Sequence, residues 1–94
     1  SILYTGTVMV AHEGLYAFRV LSDDGSVLHI DGKTVVDNDG LHGPISRIGR
    51  IHLTEGPHRL ELWYFQGPRL LVALQVFVTP PGQGERLLGP LHGM

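Results

Sequence analysis

The chain contains no cysteine, which excludes a disulfide framework and any thiolate zinc centre. It carries little charge of either sign: the formal net charge is −2 and the Lys and Arg residues are scattered, so no basic surface exists to track a phosphate backbone and nucleic acid is not an expected partner. Long apolar runs are also missing. None approaches the ~20 residues of a helical membrane span, and the longest, Leu70 to Val78, is interrupted by Gln75. No segment shows the 3.6-residue period of an amphipathic helix. There is no Gly-x-Ser-x-Gly elbow, nucleophilic cysteine or phosphate loop, and Ser22 and Ser26 read as turn residues, so no enzyme is expected.

What is present is strand periodicity. Tyr16, Phe18 and Val20 alternate with Leu15, Ala17, Arg19 and Leu21, a two-residue spacing that sends one apolar face inward. Leu28 and Ile30 oppose His29; Ile51 and Leu53 oppose Arg50, His52 and Thr54; Leu60, Leu62 and Tyr64 oppose Arg59, Glu61 and Trp63. Residues 70–78 are apolar on both faces except for Gln75, which predicts a strand covered on both sides. Glu13-Gly14, Asp24-Gly25, Asp31-Gly32, Glu55-Gly56 and Gln66-Gly67 each offer a glycine able to take the positive φ of a tight reversal. Short strands separated by such turns predict one all-β domain, an antiparallel β-sandwich of about six or seven strands. With 94 residues the chain supports one modest core. Residues 37–49 read as an irregular loop. The segment 82–94, rich in glycine and proline, reads as a C-terminal tail or a closing strand around Arg86 to Leu88, which puts the sandwich at residues 1–81.

The most informative stretch is residues 20–40, Val-Leu-Ser-Asp-Asp-Gly-Ser-Val-Leu-His-Ile-Asp-Gly-Lys-Thr-Val-Val-Asp-Asn-Asp-Gly. Asp23 and Asp24 are adjacent carboxylates whose charges repel unless a cation or hydrogen-bond donors compensate them. A hard cation meets that need: calcium takes 6–8 oxygens from carboxylates, amides, carbonyls and water. Asp37, Asn38 and Asp39 add oxygens in a second loop, where Asn38 also suits the capping of its own turn. Asp-Asp-Gly-Ser is equally a good turn on its own, since aspartate accepts hydrogen bonds from nearby backbone amides.

Ser-Asp-Asp-Gly-Ser, a hydrophobic strand, Ile-Asp-Gly-Lys, Val-Val-Asp-Asn and His-Gly-Pro stand in the order found in the protective-antigen fourteen (PA-fourteen) domain family, which this chain resembles. Leu53-Thr54-Glu55-Gly56-Pro57-His58-Arg59-Leu60-Glu61-Leu62 and the aromatic Tyr64-Phe65-Gln66-Gly67 continue the resemblance, which runs from about Tyr4 to about Pro81. Family members usually carry a few tens of residues ahead of this point, so the chain is expected to be a trimmed or minimal member. Its start at Ser1 suggests an excerpt of a longer polypeptide.

In the lectin-like branch of that family, paired aspartates joined by a cis peptide bond hold a calcium that coordinates sugar hydroxyls. The resemblance therefore implies calcium ligands at Asp23 and Asp24, with Gln66 by its amide oxygen and Gly67 by its carbonyl, and favours Asp37-Asn38 as mostly structural; in the binding-module reading the ligand pocket is formed by Asp23, Asp24, Asn38, His42 and Gln66. His42 is expected to organise its own loop. Trp63 offers a partly exposed stacking platform, although packing against Phe77 or preceding residues is the stronger expectation. His52 and His58 flank the Glu55-Gly56 turn and would face each other in a hairpin, but no third zinc ligand is evident.

The functional expectation is a non-catalytic, calcium-dependent carbohydrate-binding module, lectin- or adhesin-like, of a larger extracellular or cell-surface protein. The alternative is a structural or protein-interaction module in which Asp-Asp-Gly-Ser acts only as a turn. Expected partners are a cell-surface or polysaccharide glycan, neighbouring domains of a parent protein, and a second copy of the chain through an exposed sheet edge.

Overall fold

The computed structural model describes residues 2–40, 45–65, 73–88 and 92–93. Seven strands of six residues or more are present among them: β1 (Ile2–Val10), β2 (Gly14–Asp23), β3 (Gly25–Ile30), β4 (Lys33–Asn38), β5 (Ile45–Leu53), β6 (Gly56–Phe65) and β7 (Ala73–Thr79). Two-residue strands follow, β8 (Arg86–Leu87) and β9 (His92–Gly93). One sheet has the order β4-β3-β6-β1-β9 and the other β5-β2-β7-β8. All pairings are antiparallel, so the predicted all-β sandwich is what forms.

The faces follow the alternation of the sequence. Phe18, Val20, Leu28, Ile30, Leu60 and Leu62 are completely buried, and with Val8, Val10, Tyr16, Val36, Leu53, Val76 and Val78 they fill the space between the sheets. Each such side chain contributes about 1.5–3 kcal/mol by leaving water. Strand 70–78 departs from its expected double covering. Residues 70–72 lie outside the described residues; β7 has Val76 and Val78 inside, Gln75 exposed, and Phe77 on the outer face beneath the Arg19 guanidinium, 4.0 Å above the ring centroid. Trp63 is half-buried on the outer face of the other sheet, between Leu3 of β1 and Val27 of β3, so the two aromatics lie on opposite sides of the molecule.

Several expectations are corrected by the topology. Residues 37–49 are not one loop: Asp37 and Asn38 end β4, and β5 begins at Ile45. The pattern of β5 hides a strand because it is an edge strand, of which only Leu53 is fully buried. Ser22 and Ser26 lie in β2 and β3, wholly buried, and not in turns. His52 and His58 do not face each other across a hairpin, because β5 and β6 belong to different sheets and Thr54–Glu55 is the crossing between them. The turn at Asp31–Gly32 is a tight hairpin with φ of 52° and 78°, as Asp-Gly predicts.

Gly14 and Gly25 do not take positive φ. Gly25 is required for a different reason. A Cβ there would lie 2.8 Å from Asp39 Oδ1 and 2.8 Å from the Gly40 nitrogen, so only glycine lets the segment after β4 close over the start of β3.

The tail lies against both sheets. Arg86 and Leu87 pair with Val78 and Phe77, Leu88 N donates to Val76 O at 2.8 Å, and His92 and Gly93 pair with Thr5 and Tyr4 on β1.

Candidate functional site

Asp23 ends β2 in one sheet and Gly25 begins β3 in the other, so Asp24 is the corner at which the chain changes sheet. Turning there costs both aspartates their solvent: they are only 8% and 4% exposed. Their neighbours are set by register. Asp23 pairs with Ala73 and Gly25 with Phe65, so the end of β6 and the start of β7 lie directly beside the aspartate corner. Asp39 and Gly40 press on Gly25 from the other side. Residue 24, Asp39 and Gly40 after β4, the end of β6 at Phe65 and the start of β7 at Ala73 thus lie at one end of the molecule.

Beneath the corner lies a buried polar layer. Ser22 Oγ and Ser26 Oγ are hydrogen-bonded at 2.9 Å, and the Asn38 amide nitrogen donates to Ser22 Oγ at 3.1 Å and to Ile45 O at 2.8 Å, with a longer contact of 3.5 Å to Val20 O. Tyr64, only 2% exposed, donates its hydroxyl to the carbonyl of Asp23. Burial holds the Tyr64 phenol above its usual range, and the nearby charges of Asp24, Asp23 and Tyr4 push in the same direction. Among the described residues no buried side-chain nitrogen or oxygen lacks a partner, as close packing of polar groups demands.

Of the residues singled out in the sequence, the structure brings Asp23, Asp24 and Asn38 to this end. The Asp23–Asp24 peptide bond is trans, not the cis bond implied by the lectin-like branch. Asn38 has its amide nitrogen committed to joining β4, β2 and β5. Gln66, Gly67 and His42 lie outside the described residues. Asp37 is exposed, and its Oδ1 accepts from Asp39 N at 3.1 Å in a local turn. Among the described residues no group of three or more His, Cys, Asp or Glu is gathered as a metal site. Two adjacent, nearly buried carboxylates are chemically able to provide part of the oxygen shell of a hard cation. Tyr64, Ser22 and Ser26 were missed as contributors. The inward phase of Ser22 with Val20, and of Ser26 with Leu28, was the signal that they belonged to strands.

His58 works at the opposite end. Its Nδ1 donates to Asp31 Oδ2 at 2.5 Å and its Nε2 to Thr54 O at 2.6 Å, so both ring nitrogens face acceptors and the imidazole is held as a cation. Asp31 raises the His58 pKa, assisted by the Thr54 carbonyl, and His58 lowers that of Asp31. Asp31 Oδ1 also accepts from Arg59 N at 3.0 Å, tying the β3–β4 turn to β6. The His58 contribution is complete below its unfolded pKa of about 6.5 and is lost as pH rises through the raised folded value. The Asp31 contribution is complete above about 3.9 and is lost as pH falls through the lowered value. The stability difference between wild type and Asp31→Asn is therefore expected to be greatest between about pH 4 and 6.5 and to narrow on either side. Because the Asp31 side chain is 44% exposed, the difference should be only on the order of 1 kcal/mol. Urea unfolding at a series of pH values measures it, and a flat profile would remove the cationic imidazole.

A cavity of about 300 Å³ opens elsewhere, between β1 and the β7–β8 edge, lined by Thr7, Met9, His12, Tyr16, Arg86 and Leu87 among others.

Compared with known families, residues 1–91 match the model of the PA14 domain. The chain belongs to the PA14 domain family. This bears out the resemblance read from the Ser-Asp-Asp-Gly-Ser stretch. Among solved structures, an anti-sigma factor domain-containing protein is similar at a TM-score of 0.81 with 22% identity, over 90% of this chain and 30% of that one. The PA14 domain of the MpAFP antifreeze protein gives 0.74 and 22%, over 92% of this chain and 46% of that one. A PA14 sugar-binding domain from an RTX adhesin gives 0.67 and 26%, over 94% and 51%. The chain thus spans between about a third and a half of the length of these structures. No curated protein matches. The likenesses at 22% identity establish the shared PA14 fold.

Proposed function

We propose that this PA14 domain is a non-catalytic module of a larger extracellular protein that binds carbohydrate through a calcium ion held at the Asp23–Asp24 corner. The coarser part of this reading, a carbohydrate-binding or interaction module, is supported by family membership and by the likeness to the sugar-binding domain of an RTX adhesin. The observation that supports the finer part is a pair of adjacent carboxylates almost closed to solvent, with Asp39 and Gly40, the end of β6 at Phe65 and the start of β7 at Ala73 beside them. Calcium would compensate their mutual repulsion and leave coordination positions for vicinal sugar hydroxyls. Gln66, Gly67 and His42 are the proposed further contributors.

A second reading has its own support. The corner is tied from beneath by Tyr64, Ser22, Ser26 and Asn38, as a turn serving only to space or dock neighbouring domains would be.

Calorimetric titration of calcium into chelator-treated protein, with magnesium as control, separates them. Saturable calcium binding, lost in Asp24→Ala with the β-sheet spectrum unchanged, is the expected result. At calcium 100-fold above Kd the wild type should gain about 2.7 kcal/mol, or a Tm rise of about 10–20 °C, and Asp24→Ala none. Absence of a calcium response in the wild type would leave the interaction module as the function.

A further inference from the structure

The outer face of the β5-β2-β7-β8 sheet carries a second recess, about 280 Å³, floored by Ala17 and walled by Arg19, Ile48, Arg50, Thr79 and Glu85. Its shape follows from register. Ala17 lies between Arg50 on β5 and Thr79 on β7, so a small side chain sits in a row with two longer ones and leaves a trough. One end is rigid. Arg19 Nε and Nη2 each donate to Glu85 at 2.9 Å, Nη1 donates to Ser46 Oγ at 2.9 Å, and the guanidinium stacks on Phe77. That pair is internally neutral. Arg50 differs: it is exposed at the trough and has no ion-pair partner among the described residues. Ile48, 56% exposed, presents an apolar wall beside it.

We infer that this trough is a second binding site, for the carboxylated ring of an acidic saccharide, with Arg50 receiving the carboxylate. A cation with no ion-pair partner among the described residues, beside an ordered acceptor (Glu85), a hydroxyl (Thr79) and an apolar floor and wall, matches a ligand that has one negative charge, several hydroxyls and an apolar ring face. The volume is at the small end of ligand pockets and suits a single ring. An acidic peptide side chain would use Arg50 alone and leave Glu85 and Thr79 without a task. The inference rests on the reading of the domain as a glycan binder, but not on calcium. Arg50 lies beside Ala17, six residues along β2 from Asp23, or about 20 Å from the aspartate corner.

The test is an NMR titration of ¹⁵N-labelled protein in chelator with glucuronate, glucose and glutamate, on wild type, Arg50→Gln and Asp24→Ala. Saturable shifts of the amides of Ala17, Ile48, Arg50 and Thr79 by glucuronate are expected. Glucose and glutamate should bind about tenfold more weakly or not at all, since each lacks one of the two recognised features. Arg50→Gln, an exposed change that should leave the spectrum otherwise intact, should weaken glucuronate by about tenfold or more, whereas Asp24→Ala should not alter it. No saturable shift with glucuronate, equal binding of glutamate, or unchanged binding in Arg50→Gln would each overturn the proposal. Loss of the calcium response at Asp24 with glucuronate binding intact distinguishes failure of one site from failure of the other.

Discussion

Gly49→Ala should destabilise this domain by about 3 kcal/mol or more, lowering Tm by roughly 12–24 °C, and is expected to leave much of the protein unfolded at 37 °C. A Cβ at this position would sit 1.8 Å from the Val35 carbonyl oxygen and 2.7 Å from its carbon, and both are backbone atoms that no rotamer change can move aside. β4 and β5 are edge strands of different sheets, and they close one side of the sandwich by this approach. Accommodating a methyl group means separating them, which would open the core near Val36 and strain the Asn38 bond to Ile45 O. Since single domains are stable by only about 5–15 kcal/mol, such a loss is a large fraction of the whole. Gly84→Ala is the control: nothing lies within 4 Å of a Cβ there, and its effect should stay within about 0.5 kcal/mol. Thermal unfolding of the two variants decides the matter, and equal Tm values would mean that β4 and β5 are not in contact as described.

Asn38→Asp should cost about 2–4 kcal/mol although it changes no volume. The amide nitrogen of Asn38 faces three oxygen atoms, Ser22 Oγ, Ile45 O and Val20 O, and the side chain is 2% exposed. An aspartate replaces the donor with a second acceptor and, at neutral pH, buries a charge against carbonyl oxygens. The carboxyl should respond by holding its proton, so the penalty is expected to shrink as pH falls and to grow as pH rises. Urea unfolding of wild type and variant at pH 4 and pH 7.5 measures this. A penalty independent of pH would mean that residue 38 reaches solvent. Because Asn38 also underlies the aspartate corner, the variant should lose the proposed calcium binding together with stability, whereas Asp24→Ala should lose the first with far less of the second.

These two residues show why sequence reading reached only part of the site. Asp23 and Asp24 were legible as a carboxylate pair in need of compensation because their repulsion is a property of adjacent residues. Asn38 was legible as an oxygen ligand in a loop or as the cap of its own turn, both local roles. Its actual task, donating across to β2 and β5, depends on partners up to 18 residues away. Gly25 and Gly49 read as conformational punctuation or were passed over. Both are glycine because another part of the backbone comes too close for a side chain. His52 and His58 were placed in one hairpin on the strength of the Gly56 turn, and Gly56 does take positive φ, at 114°. A local turn signal does not say whether the next strand returns to the same sheet. Here it crosses to the other, which sends His52 to Glu13 and His58 to Asp31.

The all-β class, the buried face of the central strands and the family were legible in one dimension, because a two-residue period and a compact motif are local properties. Phe18 and Val20, Leu28 and Ile30, and Leu60 and Leu62 all point inward as their alternation required. Which strands share a sheet, how the tail lies along β1 and β7, why Gly25 and Gly49 cannot be replaced, and that Arg50 faces a trough with no ion-pair partner among the described residues are set by tertiary contacts. Each of these depends on contact between residues distant along the chain. Register and close approach of that kind are set by the packing of the whole core and not by any segment alone.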